Sequence, residues 1–212
     1  MENEIYDTLY YYSENGEEGY DLTEVQLIGK TDENRVEKLK LLLHHKNAYI
    51  SYQAMLVLIA WAIPEGFHQL DRFISEKWDE KHSFEPHRIY NEDNVYDVIV
   101  DALYISTFNG KEEQELYPYV KHFLNIYGDR FFESCLKDFL LKKDCEPLLK
   151  EIEEAMKSAL KNEKYYQASQ FFPVIVHYDK HRFEEYFEVF SSLLKDDKRI
   201  EYNIEEAEKI RS

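Results

Sequence analysis

The chain has 212 residues and a net charge of −17, from 43 Asp and Glu against 26 Lys and Arg. Its 6 Gly and 5 Pro are too few for the many turns of a β-sandwich or β-barrel, so the composition favours long helices. The acidic balance argues against a nucleic-acid partner, because proteins that bind a phosphate backbone carry an excess of cations. A charged partner of this protein is therefore expected to be basic.

The two cysteines, Cys135 and Cys145, are ten residues apart, and no signal peptide precedes them. This pattern does not imply a disulfide framework and favours a reducing, cytoplasmic environment. The length suffices to bury a substantial core. We expect one α-helical domain over 1–212, with an acidic lead segment at 1–30, helical repeats at 31–195 and a charged tail at 196–212.

The first 29 residues contain eight Asp and Glu and no Lys or Arg, so they supply −8 of the net charge. These acids are interleaved with tyrosines, among them Tyr6, Tyr10, Tyr11 and Tyr20. Tyrosine offers a large contact area at little cost in side-chain entropy, so the segment predicts a recognition surface for a cationic partner. The alternative is a solvated lead helix with Ile5 and Leu9 on its inner side.

The most apolar stretch is 48–63, AYISYQAMLVLIAWAI, which carries no charge. Apolar residues occupy almost every side of a helix wound through it, which predicts a central helix covered by neighbours on both sides. Sixteen residues extend roughly 24 Å as a helix, less than the ~30 Å of a bilayer interior, and the flanks carry no positive bias. We therefore expect no membrane partner.

An extended loop is expected at 82–92, because Pro86 disfavours helix before it, and Asn91 or Asp93 offers an N-cap for a helix at 93–108. Asp97 and Asp101 share one side of that helix. Such a pair could perform acid–base chemistry or hold a cation, or the two acids are simply solvated. No third ligand appears at helical spacing, so we expect no catalytic residue, no metal site and no cofactor.

Apolar stripes at helical spacing continue along the chain and predict hairpin-like pairs. The expected pairs are 33–45 with 48–63, 67–81 with 93–108, and 117–127 with 130–142, followed by helices at 147–161, 163–178 and 182–195. A unit of 35 to 45 residues is typical of HEAT and armadillo repeats, which predicts an all-α solenoid of stacked antiparallel helix pairs. Pro118 is expected in a first turn, and Pro173 is expected to kink its helix.

Residues 32–61 resemble a degenerate HEAT repeat, with an L-x-x-L-L pattern in the first helix and the small Ala54 in the second. Together with SFEPHRIYNEDNVYDVIVDAL at 83–103, the chain looks like the small acidic HEAT-like immunity proteins encoded beside bacterial polymorphic toxins, including contact-dependent growth inhibition systems. The resemblance covers about 30–130 and does not include the tyrosine-rich start. It implies a cytosolic protein that binds a toxic domain and blocks its active site.

The leading hypothesis is a non-enzymatic binding module, an immunity protein for a basic, nuclease-type toxin domain. The contacts expected around the long loop are Tyr90, Asp93, Tyr96, Asp97 and Asp101. Tyr6, Tyr10 and Tyr11 form a second candidate patch. The alternatives are a HEAT-like DNA glycosylase, which would need a basic groove that this composition does not favour, and a helical-repeat scaffold or adaptor. The oligomeric state stays open.

Overall fold

A computed structural model describes residues 2–10, 22–28, 33–84 and 93–212, with side chains from Glu4 onward in the first range. In these ranges the regular structure is α-helix with short 3₁₀ turns, and no β-strand occurs in them. The prediction of an all-α protein is confirmed. The chain divides into two compact units, a first unit at Met1–Glu112 and a second unit at Glu113–Ser212. The single-domain organisation stays a prediction.

The first unit is built around one helix, α4, that is covered by its neighbours. Residues 51–61 are all buried, and α1, α2, α3, α5 and α7 each pack against α4. The predicted central helix is therefore confirmed. The helices of this unit are α1 (Glu2–Tyr10), α2 (Leu22–Ile28), α3 (Glu33–Leu42), α4 (Ala48–Ala60), α5 (Pro64–Ser75), α6 (Trp78–Lys81) and α7 (Val95–Ser106).

Helix α4 begins at a side-chain cap and ends at a close contact with α5. The Asn47 side chain accepts a hydrogen bond from the Tyr49 N–H at 3.0 Å, which satisfies one of the free donors of the first turn. Beyond its end, Gly66 lets α5 approach closely: a Cβ there would lie 2.6 Å from the backbone nitrogen of Ile59. A residue with a side chain would force the two helices apart.

The second unit has its own apolar helix, α12, in which residues 171–176 are all buried. It packs against α9, α10, α11, α13 and α14. The helices of this unit are α8 (Glu113–Ile126), α9 (Cys135–Lys142), α10 (Leu149–Lys161), α11 (Tyr165–Ser169), α12 (Phe171–Tyr178), α13 (Phe183–Leu193) and α14 (Ile200–Arg211).

Two proline predictions have different outcomes. Pro118 lies inside α8, not in its first turn, because the helix begins earlier, at Glu113, where acidic side chains suit the positive end of the helix dipole. The prediction for Pro118 was wrong. The predicted break near Pro173 is confirmed: the 163–178 segment divides at Gln170 into α11 and α12, and Pro173 lies in the first turn of α12.

Two other boundaries differ from the sequence pattern. The helix expected at 130–142 begins only at Cys135, because the backbone N–H of Phe132 donates to the side-chain oxygen of Gln167, at 3.1 Å, instead of to a helical carbonyl. The tail at 196–212, for which the pattern was weak, forms α14 and buries Ile204 and Ala207. Both differences depend on contacts between helices.

Candidate functional site

The carboxylate of Asp93 connects Phe84 with the start of α7, on either side of the loop that the sequence predicts. One oxygen accepts from the Phe84 N–H at 2.9 Å and the other accepts from the Val95 N–H at 3.0 Å. The second bond satisfies a free donor at the start of α7, whose N-cap position is Asn94 and not the Asn91 or Asp93 that the sequence suggested; Asp93 lies one residue before it. Asp93 is half-buried and has a structural part in holding Phe84 near the start of α7.

Tyr96 and Asp97 lie inside the first unit, where the side chains are 4% and 2% exposed. The Tyr96 ring meets Phe73 edge-on, with the centroids 6.0 Å apart. Helix α7 packs against both α4 and α2, so more of its circumference is covered than a single apolar stripe implies. A partner contact needs an accessible side chain, and burial removes Tyr96 and Asp97 from the surface on which the sequence had placed them.

The rest of the predicted loop set is divided. Asp101 is half-buried one turn beyond Asp97, so the two acids of the predicted pair differ in their access to solvent. Tyr90 lies outside the described residues, as does Tyr11 of the second patch. The structure therefore does not assemble the five loop-side residues into one accessible surface among the parts of the chain that it describes.

Helix α1 holds the residues of the second patch that the structure describes. Leu9 is buried against the unit, whereas the Tyr6 side chain is 45% exposed and Asp7 is exposed. The rings of Tyr6 and Tyr10 are stacked, with centroids 4.9 Å apart and an interplanar angle of 29°. The side-chain amide of Gln53, on α4, donates to the Tyr10 hydroxyl. These contacts hold the Tyr6–Tyr10 pair against the central helix, α4.

Arg35 attaches α1 to the body of the unit, and sequence reasoning missed it. Its Nε donates to the carbonyl of Thr8 at 2.8 Å, and its Nη2 donates to the carbonyl of Leu9 at 3.1 Å. Carbonyls in the last turn of a helix have no partner within the helix, and a cation there suits the dipole. The guanidinium also lies over the Trp61 ring, 5.5 Å from its centroid.

A signal for Arg35 was present in the sequence. Arg35 lies four residues before Leu39 and next to Val36, so a charged residue occupies the inner, apolar side of α3. The side chain is only 9% exposed. A buried arginine needs hydrogen-bond acceptors, and the end of a neighbouring helix is a common source of them.

Helix α2 is also tied to the central helix. The indole N–H of Trp61 donates to the Val25 carbonyl at 3.3 Å, and Val25 is fully buried. The helices at both ends of the acidic lead segment are thus packed against α4.

Negative charge is concentrated in the first unit. Up to Glu112 the sequence has 22 Asp and Glu against 10 Lys and Arg, and from Glu113 it has 21 against 16. The net charges are therefore −12 and −5. Several acids of the second unit are paired, including Glu153 with Arg182 at 2.8 Å and Glu206 with Lys137 at 2.8 Å. Because the net charge of a unit determines how strongly it attracts a cationic molecule, the first unit is the more attractive to such a partner.

A small hollow of about 150 Å³ opens between α1 and α3. It is lined by Glu4 and Asp7 on one side and by Arg35 and Lys38 on the other, and Lys38 approaches Glu4 to 3.9 Å. Its charges nearly balance. The hollow itself therefore offers no excess of negative charge, and Asp7, which lines it, is also exposed to solvent.

Across the described ranges, no group of three or more His, Cys, Asp or Glu side chains is arranged to hold a metal ion. None of the helices described is both long and apolar enough to cross a membrane. Comparisons with protein-family models, with curated proteins and with solved structures found no match to this chain.

Proposed function

We propose that this protein is a non-enzymatic binding module of the cytoplasm that binds a cationic protein and neutralises it, and most concretely that it is an immunity protein for a nuclease-type toxin domain. The observation that carries the proposal is the net charge of −12 in the first unit, with exposed acid and tyrosine side chains on α1. A nuclease needs a cationic surface to hold its phosphate substrate. An acidic protein would cover that surface.

In the proposed mechanism, acidic side chains speed association and aromatic side chains slow dissociation. Opposite net charges steer the partners together and raise association rates by about 10 to 10³-fold at low salt. Charge alone gives little lasting affinity, because exposed pairs are screened and solvated. Aromatic anchors that leave water slow the dissociation, and the exposed ring of Tyr6 is suited to that part.

A HEAT-like stacking of antiparallel helix pairs is part of the proposal. It is supported within the first unit by the packing of α3 on α4 and of α4 on α5, and within the second unit by the packing of α8 on α10 and of α10 on α12. Such pairs bury faces that a single helix cannot bury alone.

The decisive experiment is to sequence the genes next to this one and to co-express this protein with each small basic domain that they encode. We expect one such domain to stop growth when it is expressed alone, and growth to be restored by this protein. The purified pair should elute as one complex, and the nuclease activity of the domain should fall with increasing amounts of this protein. Poly-glutamate of matched total charge serves as the control and should not protect at roughly 150 mM salt, where surface charges are strongly screened.

Failure of every neighbouring basic domain to be neutralised or bound would refute the immunity proposal. Retardation of duplex DNA by this protein in a low-salt gel-shift titration would also contradict it, because that result requires a cationic surface and would favour the glycosylase alternative.

A further inference from the structure

The outward side of α1 brings two aromatic rings and an acid together. At about 100° per residue, Tyr6, Tyr10 and Asp7 follow one another in that order over about 100° of the helix, on the side away from the buried Thr8 and Leu9. We call these three residues the α1 face. Tyr6 is 45% exposed and Asp7 is exposed, so an approaching side chain could reach a ring and a carboxylate at once.

The chemistry of the α1 face distinguishes arginine from lysine. A guanidinium is planar and weakly hydrated, so it can lie flat on a tyrosine ring while its edge donates two hydrogen bonds to a carboxylate. An ammonium is a compact, strongly hydrated point charge that gains much less from the flat ring. A surface of acids alone would not separate the two cations, whereas a ring next to an acid does.

The α1 face is also held in place before any partner arrives. The Tyr6 ring is stacked on Tyr10, and the Tyr10 hydroxyl is hydrogen-bonded to Gln53. The carbonyls at the end of α1 are held by Arg35. Binding therefore has to freeze few additional torsions, and preorganised contacts of this kind retain more of their interaction energy as affinity.

We infer that the α1 face docks arginine side chains on the surface of a cationic partner protein. The partner class rests on the proposed function, and the fit rests on charge complementarity with a unit of net charge −12. Arg35 acts as a positioning residue that holds the face without touching the partner.

The test compares octa-arginine with octa-lysine by calorimetry at low salt. The two peptides have the same charge, so a purely electrostatic surface binds them about equally. We expect the wild-type protein to prefer octa-arginine. Tyr6→Ala should weaken octa-arginine binding about two- to fivefold, as expected for an exposed cation–π contact, and should abolish most of the preference. Asp7→Lys should weaken binding of both peptides at low salt, and that of octa-arginine more, because the guanidinium also loses its paired hydrogen bonds to the carboxylate.

The second unit supplies matched controls in α14. Tyr202 is 72% exposed and follows the exposed acid Glu201, so the pair again combines a tyrosine with an acid. It lies, however, in the unit of lower net charge. Tyr202→Ala should leave the preference for octa-arginine intact. Glu201→Lys changes the net charge as much as Asp7→Lys and should weaken binding less.

Equal binding of the two peptides by the wild-type protein would overturn the inference, and so would equal effects of Tyr6→Ala and Tyr202→Ala. Circular dichroism of each variant establishes that it is folded. This outcome is separable from the proposed function, because toxin neutralisation in the co-expression experiment can succeed through another surface even when the α1 face shows no preference for arginine.

Discussion

The two units build their apolar cores in the same way and differ in their net charge. Each surrounds one nearly uncharged helix, α4 in the first unit and α12 in the second, with amphipathic neighbours. The first unit carries a net charge of −12, whereas the second carries −5. Packing is thus common to both units, and the capacity to attract a cation is concentrated in one of them.

The units also differ in how they use a buried polar side chain. In the first unit, the charged Arg35 holds the end of α1. In the second unit, the neutral Gln167 holds the turn before α9: its amide donates to the carbonyls of Tyr127 and Arg130, and its oxygen accepts from the Phe132 N–H. The charged Arg35 thus attaches a helix that is partly exposed to solvent, whereas the neutral Gln167 holds an internal turn.

Tryptophan fluorescence can follow the first unit alone, because both tryptophans, Trp61 and Trp78, belong to it. Circular dichroism follows the helices of both units. Together the two signals report where a substitution acts and whether the units unfold together.

The largest effect is expected from Gly66→Val in the first unit. A Cβ at this position lies 2.6 Å from Ile59 N and 2.8 Å from the Leu58 carbonyl carbon, so α5 has to move away from α4. We expect a loss of about 3 kcal/mol or more in the free energy of unfolding, measured by urea titration with tryptophan fluorescence. His68→Val, at an exposed position of α5, is the control and should cost little. Equal stability of the two variants would contradict the close helix contact.

The next effect is expected from Gln167→Leu in the second unit. The substitution keeps an apolar side chain of similar size but leaves the Phe132 N–H and two carbonyls without their present partner. We expect a loss of about 2 to 3 kcal/mol in unfolding free energy by circular dichroism. Gln114→Leu, at an exposed position of α8, should change the free energy of unfolding by no more than about 0.5 kcal/mol. A Gln167→Leu protein as stable as this control would show that the hydrogen bonds of Gln167 are not needed for stability.

A smaller, more local effect is expected from Arg35→Met. Two charge-assisted hydrogen bonds to the end of α1 are lost, which we expect to cost about 2 kcal/mol and to speed amide hydrogen exchange in α1 before the rest of the first unit. Lys38→Met removes a neighbouring exposed cation and should leave exchange in α1 almost unchanged. Uniform acceleration across the first unit would contradict the specific attachment of α1 by Arg35.

The effect that is smallest at neutral pH is a pH dependence in the second unit, which develops only in alkaline solution. Burial raises the pKa of the Cys145 thiol from 9.0 to about 12, and acids at Glu113 and Asp144 add to the shift. Above pH 9 the unfolded thiol loses its proton while the folded thiol keeps it, so the stability that this group supplies is lost as the pH rises toward 12. Burial also raises the pKa of the Tyr178 hydroxyl, which adds to the alkaline loss.

Urea titrations between pH 8.5 and about 11 can isolate the thiol. Cys145→Ala should make the fall in stability with pH shallower than in the wild type, and Cys135→Ala is the matched control that should follow the wild-type slope. Identical slopes for the wild type and Cys145→Ala would refute the contribution of the buried thiol.

The sequence by itself determined the helical class and the positions of the buried centre of the first unit. The uncharged run at 48–63 cannot face water on any side, and this requirement holds whatever the neighbours are. The low content of glycine and proline and the helical spacing of apolar residues can also be read without any knowledge of tertiary contacts. The all-α prediction and most helix positions therefore followed from the sequence.

Only the tertiary structure decided which candidate residues reach solvent. The sequence placed Tyr6, Tyr96 and Asp97 in one class of interface residue, but Tyr96 and Asp97 are buried where α7 packs against α4 and α2, whereas the Tyr6 side chain is 45% exposed. The attachment of α1 by Arg35 joins residues 26 and 27 positions apart. Burial and long-range hydrogen bonds depend on which helices meet, and a periodic pattern within one helix carries no information about its neighbour.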